Sequence, residues 1–152
     1  MKIMLGVMLL ACVPVAVAVA ETHYAYRTEK LAEFVVEKLE VASIPSAIRP
    51  KIARGKTTLG DYGYVTQRVD DKEALVKAPQ GSSQIAISIL EENTSGIYVC
   101  VNGQGQNQNS GHIQRVLLLK LNNANGLLKG REASKEFVGC PVIGEALIDG
   151  GY

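Results

Sequence analysis

The sequence predicts an α+β domain in which an N-terminal amphipathic helix packs on a four- to five-stranded antiparallel meander, with a short helix near the C-terminus. Apolar residues first recur every three or four positions, which is the period of an amphipathic helix. In several later segments they alternate at every second position, which is the period of strands with one buried face. Turn-forming residues separate these segments at short intervals, which favours antiparallel hairpins.

The predicted helix begins at Thr28, whose hydroxyl can cap its first turn. It ends before Ile44 and Pro45, because a residue that precedes proline is disfavoured in helical geometry. Its apolar face consists of Leu31, Phe34, Val35, Leu39 and Ala42. Residues 43–61 contain prolines, glycines and spaced basic residues, and we expect a connector there with at most one helical turn.

Alternation from residue 62 to residue 69 predicts the first strand. Residues 73–78 fit its return strand, although residues 72–75 could equally form a short helix. Residues 84–90 and 97–101 flank a turn-rich segment and predict a hairpin. Its turn contains Asn93, the first residue of an Asn-Thr-Ser sequon that eukaryotic export pathways can glycosylate. Residues 114–121 predict a central strand.

The last predicted element is a short helix over residues 131–138. Ala133 and Phe137 lie one helical turn apart within it. Gly139 and Pro141 follow and supply the signals that end a helix.

Residues 1–20 predict a secretory signal peptide. Lys2 supplies the positive charge, residues 3–20 carry none, and Ala18-Val19-Ala20 has the small residues that a signal peptidase requires. We therefore expect cleavage after Ala20 and a secreted or periplasmic domain over residues 21–152, with no transmembrane segment in the mature protein. An uncleaved membrane anchor and lipid attachment at Cys12 are the weaker alternatives.

The charge balance narrows the class of partner. The chain has 16 Lys and Arg residues and 15 Asp and Glu residues, and Lys2 belongs to the predicted leader, so the mature domain is formally neutral. Nucleic-acid binders depend on basic residues that neutralise phosphate, so we expect no nucleic-acid partner. Cys100 and Cys140 are the cysteines outside the leader, and export to an oxidising compartment predicts a disulfide between them.

An uncharged, amide-rich segment over residues 102–111 is the first candidate binding site. Side-chain amides both donate and accept hydrogen bonds, so such a loop could bind a sugar or a peptide backbone; the alternative is a flexible loop without a ligand. The candidate residues are Asn102, Gln104, Gln106, Asn107, Gln108, Asn109 and His112.

Two further candidate surfaces come from aromatic and basic residues. Tyr62 and Tyr64 share one face of the first predicted strand and could stack on a sugar ring, although core packing is the simpler role. The connector carries Arg49, Lys51, Arg54 and Lys56, which could recognise a phosphate, a sulfated glycan or an anionic lipid. An ordinary solvated connector would have the same composition.

Catalytic and metal-binding patterns are weak. His23 and His112 lack the spacing of metal ligands, so we expect neither a metal nor a cofactor. The sequence therefore predicts a non-enzymatic binding or interaction protein whose partner is a glycan, a peptide or an envelope protein. The alternatives are a small hydrolase that uses His112 with Cys100 or a serine as nucleophile, and a structural envelope component.

Overall fold

The computed structural model describes residues 30–81, 83–104 and 111–140, so the predicted leader and cleavage site lie outside the described residues. Within these ranges one α-helix precedes six strands, with short 3-10 helices at Val41–Ser43 and Gly60–Tyr62. The elements are α1 (Leu31–Lys38), β1 (Val65–Val69), β2 (Glu73–Lys77), β3 (Gln84–Asn93), β4 (Gly96–Gln104), β5 (His112–Asn122) and β6 (Leu127–Glu132). None of the helices in the described ranges is long and apolar enough to cross a membrane.

The six strands form one antiparallel sheet in the order β1-β2-β3-β4-β5-β6. This confirms the predicted antiparallel sheet, but the expected number of four or five strands is wrong. The additional strand is β6, which pairs with β5 from Asn122 and Leu127 to Leu117 and Glu132. Its last two residues, Arg131 and Glu132, belong to the segment that was predicted to be helical.

The predicted C-terminal helix is absent from residues 131–140. Instead, residues 133–140, called the C-terminal tail below, cross the outer face of the sheet, which is the face turned away from α1. Ala133 donates its N–H to the carbonyl of Val116 at 2.9 Å, and Cys140 is bonded to Cys100 with a Cα–Cα distance of 5.6 Å. These tertiary contacts with β4 and β5 outweigh the helical preference that the spacing of Ala133 and Phe137 indicated.

Helix α1 ends earlier than predicted because the chain leaves it to join the sheet edge, whereas the predicted start at Thr28 lies outside the described residues. Leu39 has extended ψ of 122° and bridges Leu128 of β6, and Glu40 bridges Thr58. The N–H of Glu40 donates to the carbonyl of Leu128 at 2.9 Å, and the N–H of Val41 donates to Thr57 at 2.8 Å. These bonds satisfy the backbone in place of the next helical turn.

The core lies between α1, the connector and the inner face of the sheet. Alternate residues of β2 to β6 point inward, as the two-residue period of the strands requires. The buried apolar cluster comprises Leu31, Val35, Leu39, Val41, Ile44, Ile48, Leu59, Val76, Ile85, Ile87, Ile97, Val99, Val101, Leu117, Leu119 and Leu128. Ile44 and Ile48 come from the connector, so that segment is part of the core on one side.

Side-chain contacts hold the C-terminal tail to the outer face. The rings of Tyr98 and Phe137 lie 5.1 Å apart, and Lys135 Nζ lies 4.7 Å from the Phe137 ring centroid. Lys135 also pairs with Glu91, and its ammonium, together with the Asn93 amide, lowers the pKa of the Glu91 carboxyl. The tail therefore lies on the sheet through an aromatic contact, an ion pair and the disulfide that the sequence predicts.

Candidate binding cleft

An open cleft of about 430 Å³ lies at the end of the sheet where β1 begins and β2 ends. Three segments form its walls: the connector, the turn before β1 and the turn between β2 and β3. The lining residues are Pro50, Lys51, Tyr62, Tyr64, Ala78, Pro79, Gln80 and Ser83. The cleft therefore joins Lys51 of the predicted basic cluster to both tyrosines of the predicted aromatic pair.

The turn before β1 brings the two tyrosines into the cleft. The predicted strand over 62–69 in fact starts at Val65, because Gly60–Tyr62 forms a 3-10 turn. The N–H groups of Tyr62 and Tyr64 both donate to the Leu59 carbonyl at 3.1 Å. Leu59 itself is buried in the core, so this turn is fixed to the interior while both tyrosine side chains remain half-buried.

The carboxylate of Asp61 stabilises the same turn. Its Oδ2 accepts hydrogen bonds from the backbone N–H groups of Thr57 and Thr58, each at 2.8 Å. These bonds, that of Thr58 first, lower the pKa of Asp61, and the positive charge of Lys56 acts in the same direction. The turn that presents Tyr62 thus depends on an ionised carboxylate.

Replacing Asp61 with Asn should destabilise the fold at neutral pH, because an amide oxygen is a weaker acceptor for these N–H groups. The folded-state pKa lies below the ordinary value of 3.8. The stabilisation is therefore complete above that value and is lost as the pH falls through the lower folded-state pKa. Denaturant unfolding of both proteins at neutral and strongly acidic pH should show a difference that shrinks in acid. Asp71→Asn, at an exposed turn carboxyl, is the control; an equal, pH-independent loss in both variants would contradict this role.

Tyr62 also attaches the connector to this end of the sheet. Its hydroxyl oxygen accepts the N–H of Ala53 at 2.8 Å, and Lys56 Nζ lies 5.2 Å from its ring centroid. The connector is thus held in place by the residue whose ring lines the cleft. Loss of this ring would change both the wall and the position of the connector.

The opposite wall is the turn between β2 and β3, which is closed by the N–H of Ala78 donating to the Ser83 carbonyl at 2.9 Å. The hydroxyls of Tyr64 and Ser83 lie 3.4 Å apart across the cleft. Gly63 has φ of 76°, and a Cβ there would lie 3.0 Å from Pro79 Cγ. The absence of a side chain at Gly63 therefore allows the proline wall to approach the tyrosine turn.

The four predicted anion-binding residues do not act as one group. Arg49 donates from Nη1 to the carbonyl of Ala42 at 2.6 Å, so it holds the end of the short 3-10 helix. Lys56 lies over the Tyr62 ring, and Arg54 is exposed on the connector outside the cleft lining. Lys51 is the member that lines the cleft.

The described part of the amide-rich segment lies at the same end of the sheet. Gln104 and His112 face each other at the paired ends of β4 and β5, and both are exposed. Gly103 pairs with Ile85, the second residue of β3 after the turn that forms the cleft wall. Asn102 is buried, with 2% of its surface exposed. Gln106, Asn107, Gln108 and Asn109 lie outside the described residues.

The structure does not bring His112 and Cys100, the candidate base and cysteine nucleophile of a hydrolase, together. Cys100 is buried and its sulfur is bonded to Cys140, so it is not a free thiol. His112 pairs with Gln104, four residues along β4 from Cys100, which corresponds to about 13 Å. Within residues 30–81, 83–104 and 111–140, no group of three or more His, Cys, Asp or Glu residues could hold a metal ion.

Sequence reasoning missed the second wall of the cleft. Pro79, Gln80 and Ser83 belong to a turn to which the sequence pattern assigned no role, and Pro50 was placed only within the predicted connector. The available signal was the short separation between β2 and β3, which places this turn beside the start of β1. No protein-family model, curated protein or solved structure matches the chain.

Proposed function

We propose that this chain is an exported, non-enzymatic binding domain and that the cleft between the connector and the β2–β3 turn binds a glycan. Export is supported by the leader pattern over residues 1–20 and by the disulfide, which fits an oxidising compartment. The observation that carries the choice of ligand is the convergence of two tyrosine rings with hydrogen-bonding groups in one open cleft.

The composition of the cleft supports a sugar ligand. The rings of Tyr62 and Tyr64 offer flat apolar surfaces on which the C–H face of a pyranose can pack. The side chains of Gln80 and Ser83 offer both donors and acceptors for sugar hydroxyls. The cleft is open, has both polar and apolar lining residues and has a volume of about 430 Å³. It can accommodate one or two sugar rings, either at the end of a glycan or within a longer polysaccharide.

The base of the amide-rich segment supports the same proposal. Gln104 and His112 lie at the same end of the sheet as the cleft, because β2, β3, β4 and β5 are adjacent and antiparallel. A longer glycan that leaves the cleft in that direction meets further polar side chains. This arrangement does not require a catalytic residue.

The experiment is a titration of the mature domain with defined oligosaccharides and with control peptides, followed by thermal unfolding and calorimetry. A glycan present at one hundred times its dissociation constant stabilises the fold by about 2.7 kcal/mol, which raises the melting temperature measurably. Tyr64→Ala should weaken glycan binding at least about tenfold, whereas Tyr64→Phe, which keeps the ring, should retain most of it.

Each variant is compared with its own unliganded melting curve, so a loss of stability is not mistaken for a loss of binding. Tyr98→Ala on the outer face is the matched control and should leave the affinity unchanged. If no glycan binds, or if only peptides bind, the proposal is wrong. If a glycan binds and Tyr64→Ala is without effect, the cleft is not its site.

A further inference from the structure

We infer that the ligand of the cleft is an anionic saccharide, bearing a carboxylate or a sulfate group, and that Lys51 binds this group. The inference rests on the proposed function and adds the charge of the ligand. The first observation is the composition of the lining: it includes Lys51 and no acidic residue. A negative group that enters the cleft therefore meets a cation and no opposing carboxylate on the walls.

The second observation is that Lys51 is available for a ligand. It is exposed, and it takes part in none of the four ion pairs found among the described residues. By contrast, the lysine on the outer face, Lys135, is paired with Glu91. Among the described residues, therefore, no ion pair of Lys51 has to break when an anion binds.

Two further charges, those of Lys56 and Asp61, lie beside the connector side of the cleft. Lys56 lies over the Tyr62 ring at 5.2 Å from its centroid, which places a second positive charge beside this wall. Asp61 is the acidic residue of the same turn, and its Oδ2 accepts the N–H groups of Thr57 and Thr58. Asp61 balances part of the Lys56 charge, so Lys51 is the cation that distinguishes the cleft.

A sugar acid matches these groups better than a neutral sugar does. The pyranose ring packs on Tyr62 or Tyr64, while its carboxylate or sulfate accepts a charge-assisted hydrogen bond from the Lys51 ammonium. The remaining hydroxyls face Gln80 and Ser83 on the opposite wall. The neutral mature domain shows that this preference does not come from a general excess of positive charge.

The test compares matched oligosaccharides on the mature domain by calorimetry: galacturonate oligomers against galactose oligomers, and a sulfated galactose oligomer as the second anionic arm. We expect both anionic series to bind more tightly than the neutral one, and the preference to shrink as salt is raised from about 20 mM to about 500 mM. Lys51→Gln should weaken binding of the anionic series about fivefold, the size of a solvent-exposed charge pair, without changing neutral binding.

Lys120→Gln is the matched control, because Lys120 is an exposed lysine near the opposite end of the sheet. If acidic and neutral oligomers bind equally and Lys51→Gln changes neither affinity, the inference is wrong while the proposed glycan site stands. If no oligosaccharide binds, the proposed function itself has failed. Equal weakening by Lys51→Gln and Lys120→Gln would indicate a diffuse charge effect and would also overturn the inference.

Discussion

Replacing Cys100 and Cys140 with Ala is expected to destabilise the domain by about 2 to 5 kcal/mol. The bridge closes a loop of 40 residues, for which the chain-entropy model gives about 4 kcal/mol. The bridge also holds the C-terminal tail on the outer face, so its loss weakens the Tyr98–Phe137 contact at the same time. Denaturant unfolding of the wild-type and double-Ala proteins measures the difference.

Treatment with a reductant supplies the control for this prediction. It should destabilise the wild type to the level of the double-Ala variant and should leave that variant unchanged. Trypsin should also cleave after Lys135 faster in the reduced protein, because the tail is then held only by its ion pair and ring contacts. A wild-type melting curve that reductant does not shift would contradict a structural role for the bridge.

The same samples test export. Protein recovered from the exported fraction should begin at Glu21 and should weigh two hydrogens less than its reduced form. A mass that retains residues 1–20, or a lipid on Cys12, would overturn the proposed cleavage. Two free thiols in freshly isolated protein would remove the bridge.

The parts of the fold that were predictable are those determined by neighbouring residues. Ile85 and Ile87 alternate with smaller residues just before a turn-rich segment, and the β3–β4 hairpin forms there. The pairing of Cys100 with Cys140 followed from the predicted compartment and from there being two cysteines after the predicted leader. In each case the deciding interactions are local or have one possible partner.

The parts that were not predictable depend on residues distant in sequence. Ala133 and Phe137 have helical spacing, but contacts with Val116 and Cys100 hold residues 133–140 against the sheet in a non-helical conformation. Helix α1 ends early because Leu39 bridges Leu128, which is 89 residues away. A periodic pattern within one segment contains no information about such partners, so it overestimates the length of helices that end in a sheet contact.

The candidate site likewise has a part that neighbouring residues make predictable and a part that depends on residues distant in sequence. The aromatic character of Tyr62 and Tyr64 is a local feature and was visible in the sequence. The wall that faces them comes from Pro79 and Ser83, which the strand register places opposite. Charge pairing is equally non-local: Arg49 looked like a ligand-binding cation, but its guanidinium is bonded to the Ala42 carbonyl.

Gly96→Ala is expected to have the second large effect and to destabilise the domain by about 3 to 5 kcal/mol, from backbone strain and overpacking together. Gly96 is the first residue of β4 and has a φ of 138°, a backbone conformation that residues with a side chain rarely adopt. A Cβ at this position would lie 2.2 Å from the Leu119 carbonyl oxygen and 3.0 Å from Leu118 Cδ1. The first of these atoms is backbone of the neighbouring strand β5, so the clash is relieved only by separating β4 from β5.

Substitutions at two other glycines distinguish the cost of backbone strain from the cost of a steric clash. Gly126 also has a positive φ, 68°, but a Cβ there would meet nothing within 4 Å. Gly126→Ala should therefore cost only the conformational part, about 1 kcal/mol. Gly111→Ala, where a Cβ likewise meets nothing within 4 Å, should change stability by less than about 0.5 kcal/mol. Urea unfolding of the three variants should give the order Gly111, Gly126, Gly96; a Gly96→Ala loss no larger than that of Gly126→Ala would show that β5 does not approach β4 this closely.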